Sequence, residues 1–246
     1  MSGLQNRVGI RATGEKFPID VVFVVDATES MSDLLETVKF RILSLDSDIA
    51  ERLKKSNRSL ESLRVRLIVF RDLYDDPETA FEVTRFHDLP TQRAEFADSI
   101  KHIYAFGGAD DPESGLEALF LAIRSGWRNE PQDLKRRHII MLFTDQDAHE
   151  FGAKIPTNLA QLPHPRSLSD LKRLWAPHKF NGLMNERARR LVLFAPEEVE
   201  RDSVLTPTVW WQIAQEWENV WMSVGEREGL RDVVWNEVVD KLVATI

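Results

Sequence analysis

Val21-Val22-Phe23-Val24-Val25 runs directly into Asp26-Ala27-Thr28-Glu29-Ser30, and this junction decides how the chain is read. Five consecutive β-branched or aromatic residues make a strand buried on both faces, which a parallel sheet covered by helices provides. Behind the junction, Leu35, Val38, Ile42, Leu45, Ile49 and Leu53 recur at spacings of three and four, one apolar face of a helix. The buried-strand pattern returns at Val65–Phe70 (VRLIVF), His138–Phe143 (HIIMLF), Leu191–Ala195 (LVLFA) and Val220–Val224. Phe81–Phe86 alternates apolar and polar residues, as an edge strand does. Further helices are expected around Phe96, Ile100 and Ile103, and around Leu116, Leu119, Phe120, Ile123 and Trp127, the latter opened by Pro112. Two more are expected around Trp210, Ile213, Ala214 and Trp217, and around Trp235, Val238, Val239, Leu242 and Ile246. Strands alternating with helices predict an α/β fold: one doubly wound, mostly parallel, six-stranded sheet, helices on both faces, and one antiparallel edge strand.

The chain has 246 residues, 43% of them hydrophobic, enough for one sizeable core. It contains no Cys, which excludes disulfides, thiolate zinc sites, iron–sulfur clusters and cysteine nucleophiles. With 32 basic and 40 acidic residues the net charge is −8, which argues against nucleic acid or an anionic membrane as a partner. No apolar run approaches a membrane span, and the first sixteen residues lack the apolar core of a signal peptide, so a cytoplasmic location is expected. Residues 1–16 read as an N-terminal extension and 17–246 as one domain. Within it, 151–188 holds Pro156, Pro163, Pro165 and Pro177 with weak periodicity. That stretch reads as a long insertion, dispensable to the fold and suited to partner specificity.

Open α/β sheets bind ligands beyond the carboxyl ends of their strands, where strand order reverses. Three acidic loops fall at such places: Asp26–Ser30, Gly107-Gly108-Ala109-Asp110-Asp111-Pro112-Glu113, and Thr144-Asp145-Gln146-Asp147. Carboxylates with hydroxyls suit a hard divalent cation such as Mg2+. Simpler roles compete for the same residues. Ser30 with Asp33 fits a capping box, Asp111 could cap the helix behind Pro112, and His149 could be an ordinary loop histidine.

Asp26-Ala27-Thr28-Glu29-Ser30 resembles the Asp-x-Ser/Thr-x-Ser motif of von Willebrand factor A (vWA) domains, and the resemblance extends from about Phe17 to Ile246. In that family the motif forms a metal-ion-dependent adhesion site. The resemblance implies that Thr28 and Ser30 bind the metal directly, that Asp26 often acts through water, and that Asp145 comes from a later loop. Adhesion-type members place a Thr in the third loop. Here Gly107–Glu113 is similar instead to the Gly-Gly-Gly-Asp-x-Pro-Glu version of intracellular and bacterial members, which puts Asp110 in the Thr position. A third carboxylate tightens a cation and weakens its pull on an anionic partner group.

The expected cofactor is Mg2+, with Mn2+ or Ca2+ as alternatives, and Glu29, Asp111, Asp147 and His149 are expected on the partner-binding rim. The implied function is a non-enzymatic, metal-dependent protein-interaction module in a bacterial multi-component system, its partner an ATPase or kinase component. The alternative is a metal-dependent nuclease or phosphoesterase of PIN-like type, which the acidic balance and the lack of a phosphate-binding Lys loop disfavour.

Overall fold

A computed structural model describes residues 15–75, 77–108, 112–128, 135–151, 165–176, 184, 187–224 and 235–244. Asp110, Asp111, Ile246, residues 1–14 of the extension and most of 152–186 lie outside them.

Strands β1 (Glu15–Asp26), β2 (Arg58–Phe70), β5 (Arg137–Phe143), β6 (Arg189–Ala195) and β9 (Val220–Val224) run parallel, side by side in the order β2-β1-β5-β6-β9. Two short strands, β3 (Phe81–Val83) and β4 (His87–Leu89), pair antiparallel with the outer edge of β2. The antiparallel edge thus comes in two pieces, giving seven strands in six lanes. Thr84 makes the break. Its hydroxyl, where a ladder would use a backbone carbonyl, accepts the Leu67 N–H (3.0 Å), and its own carbonyl takes the Arg66 Nε–H (2.8 Å).

Alternate residues of the parallel strands face opposite helical layers. Val21, Phe23 and Val25 of β1 pack under α1 (Ser32–Lys55), α2 (Arg93–Lys101) and α6 (Trp235–Ala244). Val22 and Val24 pack under α3 (Gly115–Ile123), α4 (Leu168–Trp175) and α5 (Val209–Glu216). This two-sided burial is why the β1 sequence is apolar without alternation.

Two expected boundaries move. Helix α3 begins at Gly115, three residues after Pro112, because Glu113 is held in extended form against the β5 loop: its N–H donates to the Asp147 carbonyl (3.1 Å) and its carbonyl accepts from His149 N–H (2.9 Å). The same helix ends at Ile123, and Trp127 folds back so that its indole N–H donates to the Ala122 and Ile123 carbonyls (3.2 and 3.1 Å).

The described residues of 151–188 include part of the core. They contain α4, which buries Leu171 and Trp175 in the core and forms the crossover that a parallel β5–β6 connection requires. A hairpin of β7 (Glu198–Arg201) and β8 (Val204–Pro207) stands apart from the main sheet.

Candidate metal centre

The chain leaves β1 toward β2 on one side and returns to β5 on the other, so strand order reverses between β1 and β5. Parallel register pairs Val25 with Phe143, which brings Thr144 alongside Asp26 at the carboxyl ends. The Thr144 hydroxyl donates to Asp26 Oδ2 (2.6 Å), while Asp26 Oδ1 accepts from the Thr28 N–H (2.9 Å) and the Thr28 hydroxyl (2.7 Å). Both oxygens of Asp26 are therefore used within the protein. Burial pushes its carboxyl up to about 6, against the lowering effect of the Thr144 and Thr28 hydrogen bonds, and nearby Asp145 adds to the rise.

Ser30 Oγ lies 3.2 Å from Thr28 Oγ1 and donates to Asp145 Oδ1 (2.8 Å). Each hydroxyl has one hydrogen, and the shorter contacts assign both to carboxylates. With both hydrogens so used, the two hydroxyl oxygens 3.2 Å apart present lone pairs that a cation can accept. Neighbouring ligands around an octahedral Mg2+ with bonds of about 2.1 Å lie about 3 Å apart, close to these spacings. The donor set fits the metal.

Helix capping does not account for Ser30. Helix α1 starts at Ser32 behind Met31 with no side-chain cap, because the Ser30 hydroxyl is turned toward Asp145. The third loop packs on the site through glycine. Gly107 and Gly108 have φ values of 73° and 74°, and a Cβ on Gly108 would meet Glu113 Oε1 at 2.6 Å and Thr28 Cγ2 at 2.9 Å. Asp110 itself is not among the described residues. Gly108→Ala combines a strained φ with a clash against buried neighbours. It should cost about 1–3 kcal/mol and displace Thr28. Urea denaturation of the variant checks this.

The expected rim residues separate. Glu29 is exposed beside the site, its N–H donating to the Gly107 carbonyl (3.0 Å). Asp147 is buried and serves the scaffold: its carboxylate accepts from Ala148 N–H (2.9 Å) and Val209 N–H (2.8 Å) and pairs with Arg201. His149 has partners, its Nε2 lying 3.2 Å from Asp72 Oδ1 and its ring 4.4 Å from that of Tyr74. Asp72, two residues past the end of β2, also accepts from the Ser114 hydroxyl (3.2 Å); a carboxylate just beyond a buried strand is the signal in the sequence that points to it. Thr144 stands in the last of the three acidic loops of the sequence, but only the parallel pairing of β1 with β5 sets its hydroxyl against Asp26.

A sheet wound both ways from β1, with hydroxyls and carboxylates gathered at its switch point, defines a class of α/β binding domain. The von Willebrand factor A domain model matches residues 20–155, more than half of the chain, and the protein belongs to that family. No curated protein matches it. Among solved structures it is similar to the pilus adhesin SpaC from Lactobacillus rhamnosus GG, at 12% identity and a TM-score of 0.57, over 92% of this chain and 31% of that one. It is also similar to the conserved hypothetical protein BatB from Bacteroides thetaiotaomicron, at 15% identity and a TM-score of 0.52, over 92% of this chain and 99% of that one. Proximal thread matrix protein 1 from the mussel byssus aligns at 10% identity and a TM-score of 0.52, over 94% of this chain and 48% of that one. The chain thus spans about a third of the adhesin and half of the byssus protein. At these identities the likeness is one of fold. The family places the chain among protein-interaction modules. Among the described residues no helix is long and apolar enough to cross a membrane.

Proposed function

We propose that the protein binds a partner protein through a Mg2+ ion held by Thr28, Ser30 and Asp145, with Asp26 orienting Thr28 and balancing the charge. The observation that carries this reading is the pair of hydroxyl oxygens 3.2 Å apart, each also within 2.8 Å of a carboxylate oxygen. Asp110 is proposed as the third carboxylate, and Mn2+ or Ca2+ as substitutes for Mg2+. The proposed partner is a protein of a multi-component system, an ATPase or kinase component being the class that the family resemblance implies.

Hydroxyl ligands beside the carboxylates, a net charge of −8 and the lack of a phosphate-binding Lys loop favour binding over hydrolysis.

Mg2+ at about 100 times its Kd should add about 2.7 kcal/mol of stability, a rise in Tm of about 5–10 °C for a chain of this size. Ser30→Ala and Asp145→Ala should each abolish most of that rise while remaining folded. A scanning-calorimetry titration in which Mg2+ leaves the Tm of the unaltered protein unchanged would overturn the reading.

A further inference from the structure

Beside the candidate metal centre the rim carries two exposed aromatic rings that the fold itself does not require. Tyr104 is 62% and Phe106 42% exposed, on the segment joining α2 to Gly107. Both are supported from beneath. Arg71, only 1% exposed, donates to the Tyr104 carbonyl (2.8 Å), and its guanidinium carbon lies 3.8 Å from the centroid of the Phe106 ring. The same side chain holds Glu82 (2.8 Å) and the Thr79 carbonyl (3.2 Å). The Phe106 N–H donates to the Ala27 carbonyl and the Gly107 carbonyl accepts from Glu29 N–H, each at 3.0 Å, so the segment is stitched to the metal-binding loop. A ring left in water contributes little to folding. Rings of this size held rigidly beside a site supply contact area at a low entropic cost.

The surrounding charge indicates what lies against them. Lys39 Nζ sits 5.6 Å from the Tyr104 ring and pairs with Glu36 (2.7 Å), whose side chain is 81% exposed. The Glu82 side chain is 54% exposed, and Glu29 and Asp33 are exposed on the turn into α1. Among the described residues around the rings, the carboxylates Glu29, Asp33, Glu36 and Glu82 outnumber the cations Lys39, Arg71 and Lys101, the first two of which are each held by a carboxylate and a ring, so the balance of charge is negative. One face of Phe106 already carries a guanidinium, which weakens the attraction of the other face for a second cation. An apolar side chain suits the rings, and basic side chains suit the carboxylates around them.

We infer that Tyr104 and Phe106 form the docking surface for a partner protein segment of alternating apolar and basic side chains. The apolar side chain covers the two rings, and the basic ones pair with Glu29, Glu36 and Glu82. The inference deepens the proposed function, since the surface is continuous with the metal rim, but it uses no metal ligand and can fail separately.

The test is a nuclear magnetic resonance titration of the full chain with three synthetic peptides of Gly-flanked Arg-Leu-Arg, Arg-Gly-Arg and Glu-Leu-Glu, in Mg2+ and in EDTA. The Arg-Leu-Arg peptide should perturb the Tyr104 and Phe106 resonances and bind about tenfold more tightly than Glu-Leu-Glu, with Arg-Gly-Arg weaker than Arg-Leu-Arg. Tyr104→Ser combined with Phe106→Ser should weaken Arg-Leu-Arg about tenfold, and the exposed substitution Glu36→Lys should weaken it as well. Equal or tighter binding of the acidic peptide, or no perturbation of these rings by any peptide, overturns the inference. A Mg2+ response without peptide binding overturns this inference alone. Peptide binding in EDTA with no Mg2+ response overturns the metal reading alone.

Discussion

Asp26→Asn is expected to raise the stability of the metal-free protein while abolishing its response to Mg2+. Asp26 is buried with its pKa raised from 3.8 to about 6, so near neutral pH the folded state carries a charge that burial disfavours. The amide avoids that cost and keeps the contacts: its oxygen can accept from Thr28, and the Thr144 hydroxyl can rotate to accept from the amide nitrogen. The gain is on the order of 1–3 kcal/mol. Between about pH 4 and 6 the folded protein holds a proton that the unfolded chain releases. The metal-free protein should therefore lose stability as pH rises through this window, and that slope should be absent from the variant. Denaturation in EDTA at several pH values, followed by a Mg2+ titration, reads both effects. A variant less stable than the parent above pH 6 would show that Asp26 is a structural acceptor, not a stored charge awaiting a cation.

Asp20→Ala should be among the most damaging substitutions, at about 3–5 kcal/mol. Asp20 is fully buried midway along β1 and accepts from Arg64 Nε (2.9 Å), from Arg64 Nη2, from Arg136 Nη1 (3.4 Å) and from the Arg128 N–H (3.2 Å). Arg64 and Arg136 are themselves buried. Removing the carboxylate takes the buried counter-ion from Arg64 and one acceptor from Arg136, and alanine replaces neither. Asp20→Asn keeps an oxygen and should cost less. Six residues along the strand separate Asp20 from Asp26, about 20 Å, so the folded fraction of either variant should respond to Mg2+ as the parent does. Urea midpoints with and without Mg2+ test this, and a loss below about 1 kcal/mol for Asp20→Ala would refute the account.

These two aspartates differ in how far the sequence exposed them. Asp26 stands where a buried run ends and is followed by hydroxyls, a local pattern with a chemical reading. Asp20 stands inside the apolar stretch, and a lone charge there implies a buried counter-ion; Arg64 and Arg136, however, lie far from it along the chain. The same holds for Asp147, whose acidic loop suggested a surface role until the folded chain brought Val209 and Arg201 against it. The break at Thr84 depended on a hydroxyl entering the ladder, and the late start of α3 on a pairing between Glu113 and Ala148. Neither leaves a trace in hydrophobic periodicity.

The amino-acid order alone determined the layers and the candidate ligands. Burial on two faces demands continuous apolar strands, burial on one face demands a stripe at helical spacing, and both are properties of neighbouring residues. The tertiary structure decided which ends of those strands meet. Thr28, Ser30 and Asp145 share a few ångströms of rim because β5 lies against β1 in parallel register, more than a hundred residues along the chain, and that pairing is set by the packing of whole layers rather than by any local stretch.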